Sequence, residues 1–307
     1  MKIAVPDLVS NSYFPAIAAL ELGFFEREGL DLTLEHIFPV TNCLELLGAG
    51  QLDFVAGTAH ALPQIFPGGE GAKLLAALAQ RMYWLLVLRT DLGADRNDIE
   101  AVKGLRIGAA PMVEQGLRGL LADAGIDIER DKVTIMPVPG SSDAGASFGL
   151  QAAKALEAGL IDGFWANGLG AECAVRSGAG TVILDVRRGD GPARARNYTF
   201  PALITSDRLI AAQPAAAAAA TRAIVAVQRA LKSDVGQATV VGKRLFPDYE
   251  ASLIAAVVQR DLPYYDPRID AAMIRDIDAF NTRLGTTEIE MTYENAVANA
   301  FCSLWDA

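Results

Sequence analysis

The residues with the most chemical content in this chain fall where short apolar runs end. Gly57-Thr58-Ala59-His60 closes the run Leu52–Ala56, which reads as a buried strand. Small residues there alternate with two side chains able to hydrogen-bond. Ligands of open α/β sheets bind beyond the carboxyl ends of the strands, which makes Thr58 and His60 candidate ligand contacts. A lone histidine also serves as a structural hydrogen-bonder, and both roles stay open for His60. Trp165 and Asn167 occupy the matching place after a second apolar run. An aromatic ring supplies flat contact area, and an Asn amide both donates and accepts.

Further candidates sit at predicted helix starts. Asn11, Ser12 and Tyr13 follow the first strand and precede a helix, whose N-terminus suits an anion or polar group; Ser12 is equally a simple cap. Met112 lies in Pro111-Met112-Val113-Glu114-Gln115, which opens another helix with free backbone N–H groups. Glu114 there is a partner for the helix dipole. Ser141 and Ser142, before Asp143, read as a turn or cap with a ligand contact as the alternative. Tyr198 opens a late strand and is placed to close over a ligand. Trp84 lies in an all-apolar strand and His36 inside a strand, so both read as structural. Together these groups suit a ligand with a planar or apolar part and an anionic or amide part.

Other chemistries lack their signatures. There is no G-x-S-x-G elbow, no G-x-x-x-x-G-K-[ST] loop and no H-E-x-x-H pair. Gly168-Leu169-Gly170 is too short for a dinucleotide fingerprint. The three cysteines, Cys43, Cys173 and Cys302, have no metal-like spacing, and two histidines make a histidine-rich metal site improbable. No catalytic residue, metal ligand or cofactor is assigned.

The elements that must position these groups show an internal echo. Leu47-x-Ala49-Gly50-x-Leu52-Asp53 recurs as Leu156-x-Ala158-Gly159-x-Ile161-Asp162. Each copy reads as a helix closed by Gly, then an Asp near the start of a buried strand. Two α/β lobes follow, with polar groups at the strand ends facing one cleft. Lobe I is expected over residues 1–90 and 197–307, lobe II over 91–196. Thr41-Asn42 reads as the cap of a helix from Cys43 to Ala49, and a helix starts near Gly170. Strands alternating with helices before Thr205 argue for parallel sheets. Beyond Asp207 the pattern is helical, with a long helix from Ala215 to Leu231 and a last one over Glu294–Leu304, a tail expected to pack on lobe I.

The bulk numbers agree. The chain has 307 residues, 51% of them hydrophobic, and a net charge of −10, with a sequence pI near 4.8. That length is near the point where one core divides into two. An acidic surface argues against nucleic-acid binding. No apolar run reaches the roughly 18 residues that a spanning helix needs.

Four stretches carry a resemblance. They are Ala18-Ala19-Leu20-Glu21-Leu22-Gly23-Phe24-Phe25-Glu26-Arg27-Glu28-Gly29-Leu30, Leu46–Ala56, Val102-Lys103-Gly104-Leu105-Arg106-Ile107-Gly108 and Ala155–Trp165. In this order they resemble the ABC-transporter substrate-binding proteins for nitrate, sulfonates, taurine and thiamine-pyrimidine precursors, of periplasmic-binding-protein type II fold. The resemblance implies an α/β fold of two lobes with a helical C-terminal tail, closing on a small organic ligand by hinge motion. It implies a monomer, an ABC-transporter permease as partner and no enzymatic step. Relatives of this fold include decarboxylases and lyases, so a cytoplasmic enzyme with His60 as general acid, beside Glu114 or Asp7, stays open, as does a ligand-sensing domain. The chain starts directly with a strand and shows no basic and apolar leader. A periplasmic location therefore requires a leader already removed, and a cytoplasmic one remains open.

Overall fold

Two five-stranded sheets organise the chain. The computed structural model describes residues 1–143 and 145–306. The first sheet contains β1 (Lys2–Val5), β2 (Thr33–His36), β3 (Phe54–Thr58), β4 (Ala72–Ala77) and β10 (Pro201–Ser206), in the order β2-β1-β3-β10-β4. The second contains β5 (Leu85–Arg89), β6 (Arg106–Ala109), β7 (Thr134–Met136), β8 (Gly163–Ala166) and β9 (Gly180–Asp185), in the order β7-β6-β8-β5-β9. The two orders follow one pattern. Every residue of β3, β8 and β10 is buried, as expected for strands covered on both faces.

The sheets are mixed, not purely parallel. β1 runs parallel to β2 and β3, and β6 to β7 and β8. β10 is antiparallel to β3 and β4, and β5 to β8 and β9. The physical reason lies in the connections. A parallel pair needs a crossover, usually a helix. β5 and β10 are the first strands after the chain passes from one unit to the other, so neither arrives through such a helix.

The chain divides into two units. The first comprises Met1–Leu8, Tyr13–Arg81 and everything from Thr199 onward; the second comprises Val9–Ser12 and Met82–Tyr198. The sequence boundaries of 90 and 197 therefore shift. β5 hydrogen-bonds to β8 and β9, which draws residues 82–90 into the second unit.

The repeated motif has a mechanical role. Gly50 and Gly159 take positive φ of 73° and 69° and close the helices Val40–Gly48 and Phe148–Glu157. The aspartate that follows each glycine pins the start of the sheet's neighbouring strand. Asp53 Oδ2 accepts from Lys2 N at 2.7 Å, and Asp162 Oδ2 accepts from Arg106 N at 3.0 Å. Arg106 Nε also donates to Asp162 at 2.9 Å, and that hydrogen bond holds the Asp162 carboxyl below its usual range.

Some helix limits differ from expectation. The helix predicted from Cys43 starts at Val40 with Pro39 as its N-cap. Asn42 lies inside it and donates to Phe38 O instead of capping. The last helix, expected over Glu294–Leu304, breaks into Tyr293–Ala296 and a 3-10 helix Asn299–Asp306. Val297 forms a bridge with Leu74, and Ala298 N donates to Leu74 O; that sheet contact ends the helix. The tail does cover the first sheet. The long helix runs Pro214–Ser233, where Gln228 Nε2 donates to Ala77 O and Leu78 O, and Trp305 Nε1 donates to Leu75 O. No helix among the described residues is long and apolar enough to cross a membrane.

Candidate functional site

In the first unit, β3 delivers Thr58 and a single 3-10 turn, Ala59–Ala61, delivers His60. Both are buried. Thr58 Oγ1 lies 2.9 Å from His60 Nδ1 and 2.7 Å from Thr199 Oγ1. His60 N donates to Thr199 Oγ1 at 3.2 Å. Thr199 lies two residues before the antiparallel strand β10 opens, and Pro201 pairs with Thr58. From the tail, Asn281 Nδ2 donates to His60 O, Gln64 Nε2 donates to Asn281 Oδ1, and the Phe280 ring meets the imidazole edge-on at 5.8 Å. His60 is thus the centre of a network drawn from three distant stretches. Tyr13 precedes the helix Phe14–Glu21 as its N-cap residue, and no side chain caps that helix; Ser12, expected to do so, instead donates its N–H to Ser10 Oγ. His36 Nε2 donates to Pro6 O at 3.2 Å, tying the end of β2 to the exit of β1.

The second unit gathers more of the predicted groups at one edge. The carboxyl ends of β6, β7, β8 and β9 share an edge with the amino end of β5, because β5 alone runs antiparallel. Trp165 lies on β8, opposite Ala109 of β6 and Leu86 of β5. It is fully buried, and its Nε1 has no hydrogen-bond partner. Trp84 meets it edge-to-face at 6.3 Å, and Tyr83 lies 4.9 Å from Trp84. Met112, beyond β6 at the same edge, caps the helix Val113–Asp123 with φ 68° and ψ −43°, a conformation costly for any residue with a Cβ.

Asn11 and Asn167 converge on one helix start. Asn167 Oδ1 accepts from Leu169 N and Gly170 N, each at 3.0 Å. Asn11 Oδ1 accepts from the same Leu169 N at 3.0 Å. The helix therefore begins at Gly168, two residues before its predicted start. A Cβ on Gly170 would come within 2.5 Å of Gly149 O, so only glycine lets these two helices approach so closely.

Two other predicted contacts, Ser141 and Tyr198, and the helix-dipole partner Glu114 engage their own unit. Ser141 Oγ donates to Val138 O at 2.8 Å. Glu114 pairs with Arg118 one turn on. The Tyr198 hydroxyl donates to Asp123 and to Gly119 O. Gly119 and Asp123 lie on the later turns of a helix that starts beside Met112, roughly 10 Å away along the axis at 1.5 Å per residue, so Tyr198 stands apart from that edge.

Sequence reasoning missed Arg187 and Tyr83. Arg187 follows β9 at the same edge, is buried, and places its Cζ 5.8 Å from the Tyr83 ring. A charged residue two positions past an apolar strand was the available signal. It also missed Thr199, which no local pattern links to Thr58.

Burial pushes the Cys43 thiol up to about 12, so it is no nucleophile near neutral pH. Among the described residues, no three His, Cys, Asp or Glu groups could hold a metal ion. A separate cavity of about 240 Å³ in the first unit is lined by Gln228, Arg229, Lys232, Asp266, Arg268 and Trp305, among others; none of the predicted site residues lines it.

Residues 10–233 match the family described as NMT1/THI5 like. No curated protein sequence matches the chain. Among solved structures, it is similar to a protein from Bordetella bronchiseptica RB50, with 18% identity, TM-score 0.76, and coverage of 99% of this chain and 96% of the other. It is also similar to the alkanesulfonate-binding protein SsuA from Xanthomonas axonopodis pv. citri bound to MOPS, at 15% identity, TM-score 0.71 and 97% of both chains. The desulfurization enzyme DSZB shares the fold at 14% identity, TM-score 0.65 and 99% of both chains.

Proposed function

The chain belongs to the NMT1/THI5-like family, and on that premise we propose that it is a solute-binding protein that captures a small organic ligand for an ABC importer. The proposed ligand carries an aromatic or heteroaromatic part and a carboxylate or sulfonate. A periplasmic location and a permease partner belong to the same reading, as do ligand contacts from Met112 and Trp165 at one edge of the second sheet.

The observation that carries it is the edge of the second sheet, where Trp165, Trp84, Tyr83 and Arg187 bring flat rings and a guanidinium to the place where such sheets bind ligands. The full-length likeness to an alkanesulfonate-binding protein supports it. The thiol of Cys43, held protonated by burial, gives no support to a cysteine-dependent reaction.

The test is a thermal-shift series with benzoate, benzenesulfonate, nitrate and sulfate, followed by mass spectrometry of the recovered solute. A ligand that binds only the folded state raises the midpoint by mass action, by about 2.7 kcal/mol at a hundred times Kd. The expected result is stabilisation by an organic anion recovered unchanged. A preference for nitrate or sulfate overturns the ligand class, and conversion of the solute overturns the binding-protein reading in favour of an enzyme.

A further inference from the structure

We propose that the Trp165 indole N–H is the specificity-determining donor of the binding site, and that its acceptor is an oxygen of an anionic group on the ligand. This rests on the solute-binding reading above and deepens it.

Three observations at one sheet edge carry the inference. The first is the orphaned donor. Trp165 is fully buried, and its Nε1 has no partner, whereas the N–H of Trp305 donates to Leu75 O at 2.9 Å. An indole nitrogen only donates. Unlike an amide it cannot be turned over to exchange roles, and packing against Trp84 in an edge-to-face contact restrains the ring. A buried donor without an acceptor is destabilising, and such groups call for an explanation.

The second is strain. Met112 takes a positive φ of 68° with ψ −43°. It sits three residues beyond Ala109, which pairs directly with Trp165. The orphaned donor and the strained backbone thus share the carboxyl edge of two adjacent parallel strands. Strained residues cluster at ligand sites because their cost is offset there by function.

The third is the sign of the charge. Arg187 follows β9 at that edge, buried, with its guanidinium over Tyr83. Asp185 at the end of β9 is paired with Arg188, and the fixed guanidinium charge at this edge favours an acceptor carrying negative charge over a neutral carbonyl. The indole N–H then supplies direction, and the charge supplies attraction. The N–H has no contact with solvent. An acceptor therefore reaches it only after local rearrangement of the edge.

The test compares the wild-type protein with Trp165→Phe, using benzoate, benzenesulfonate and the neutral benzamide as probes in isothermal titration. The variant keeps a flat ring and loses only the donor and part of the ring area. Two opposite effects are expected. The thermal midpoint of the ligand-free variant stays equal or rises, because an unsatisfied donor is gone. Its affinity for the anionic probe that wild type prefers falls about tenfold or more, the scale of a lost hydrogen bond to a charged group. Benzamide binds the wild type weakly and loses little. Equal affinity of variant and wild type overturns the donor role and leaves the solute-binding reading standing. Wild type binding none of the probes overturns both. If the variant fails to fold, the indole N–H resonance of Trp165 in the ¹⁵N-labelled wild type decides the matter. A downfield shift on titration is expected, and an unmoved resonance in the presence of bound probe overturns the proposal.

Discussion

The convergence of Asn11 and Asn167 on one helix makes a prediction that separates a structural role from a ligand-contacting one. Asn167→Ala removes the acceptor for Gly170 N and one of two acceptors for Leu169 N. Loss of an Asn cap costs about 0.5–2 kcal/mol. Leu169 N keeps Asn11 Oδ1, so the expected loss is about 1 kcal/mol, set mainly by Gly170. Asn11→Ala leaves Leu169 N bonded to Asn167, and its expected loss is about 0.5 kcal/mol. The double variant strips both N–H groups in a buried setting, and its loss exceeds the sum of the singles by about 0.5–1 kcal/mol, since the two side chains share one donor. Two of the three tryptophans, Trp84 and Trp165, lie in the second unit, so intrinsic fluorescence during thermal unfolding reports mostly on that unit. A loss of 1 kcal/mol in a unit of this size moves its midpoint by roughly 3–5 °C. Strict additivity would show that the two amides do not share Leu169 N. An unchanged midpoint in Asn167→Ala, with ligand affinity lost, would show that Asn167 serves the ligand and not the helix.

Other expectations follow from single contacts. Gly170→Ala places a methyl 2.5 Å from Gly149 O, and its loss is about 1–3 kcal/mol by overpacking; Gly125→Ala, with φ of 79° and open space around it, loses only the smaller cost of the left-handed conformation, and equal losses in calorimetry would refute the steric argument. The Arg130 hydrogen bond holds the Asp131 carboxyl down at about 2. Its contribution is therefore present above the ordinary carboxylate value and disappears as pH falls from about 4 through 2, and Asp131→Asn flattens the midpoint-versus-pH curve in that window. Cys43, with its thiol pushed up to about 12, resists iodoacetamide at pH 8 in the folded protein and reacts once denaturant is added, as peptide mass mapping would show. Thr199→Val removes the acceptor of His60 N and one of two partners of Thr58 Oγ1, with an expected loss of about 1–3 kcal/mol from the buried hydrogen bonds removed; a stable variant would show that the network is not needed to hold His60.

Much of this protein was legible before any coordinates. The echo of Leu47–Asp53 in Leu156–Asp162 marks a helix stop followed by a buried strand, and both glycines do take positive φ. Such features are local. A glycine after a helix and an apolar run of strand length depend on neighbours within a few residues, so spacing alone reveals them. The same locality placed Thr58, His60, Trp165 and Met112 at strand or helix ends. What the spacing missed was long-range. Asn167 could be read from its spacing as a ligand contact, but not as sharing a helix start with Asn11, 156 positions earlier. β5 was assigned to the wrong sheet because an all-apolar strand fits either core, and only its pairing with β8 and β9 decides. The last helix broke at Val297 because Leu74 offered it a strand partner. Thr199 became the neighbour of His60 only because β10 lies antiparallel against β3. In each case a side chain or backbone group chose among acceptable partners, and the choice was made by which distant segment the folded chain brought within hydrogen-bond reach.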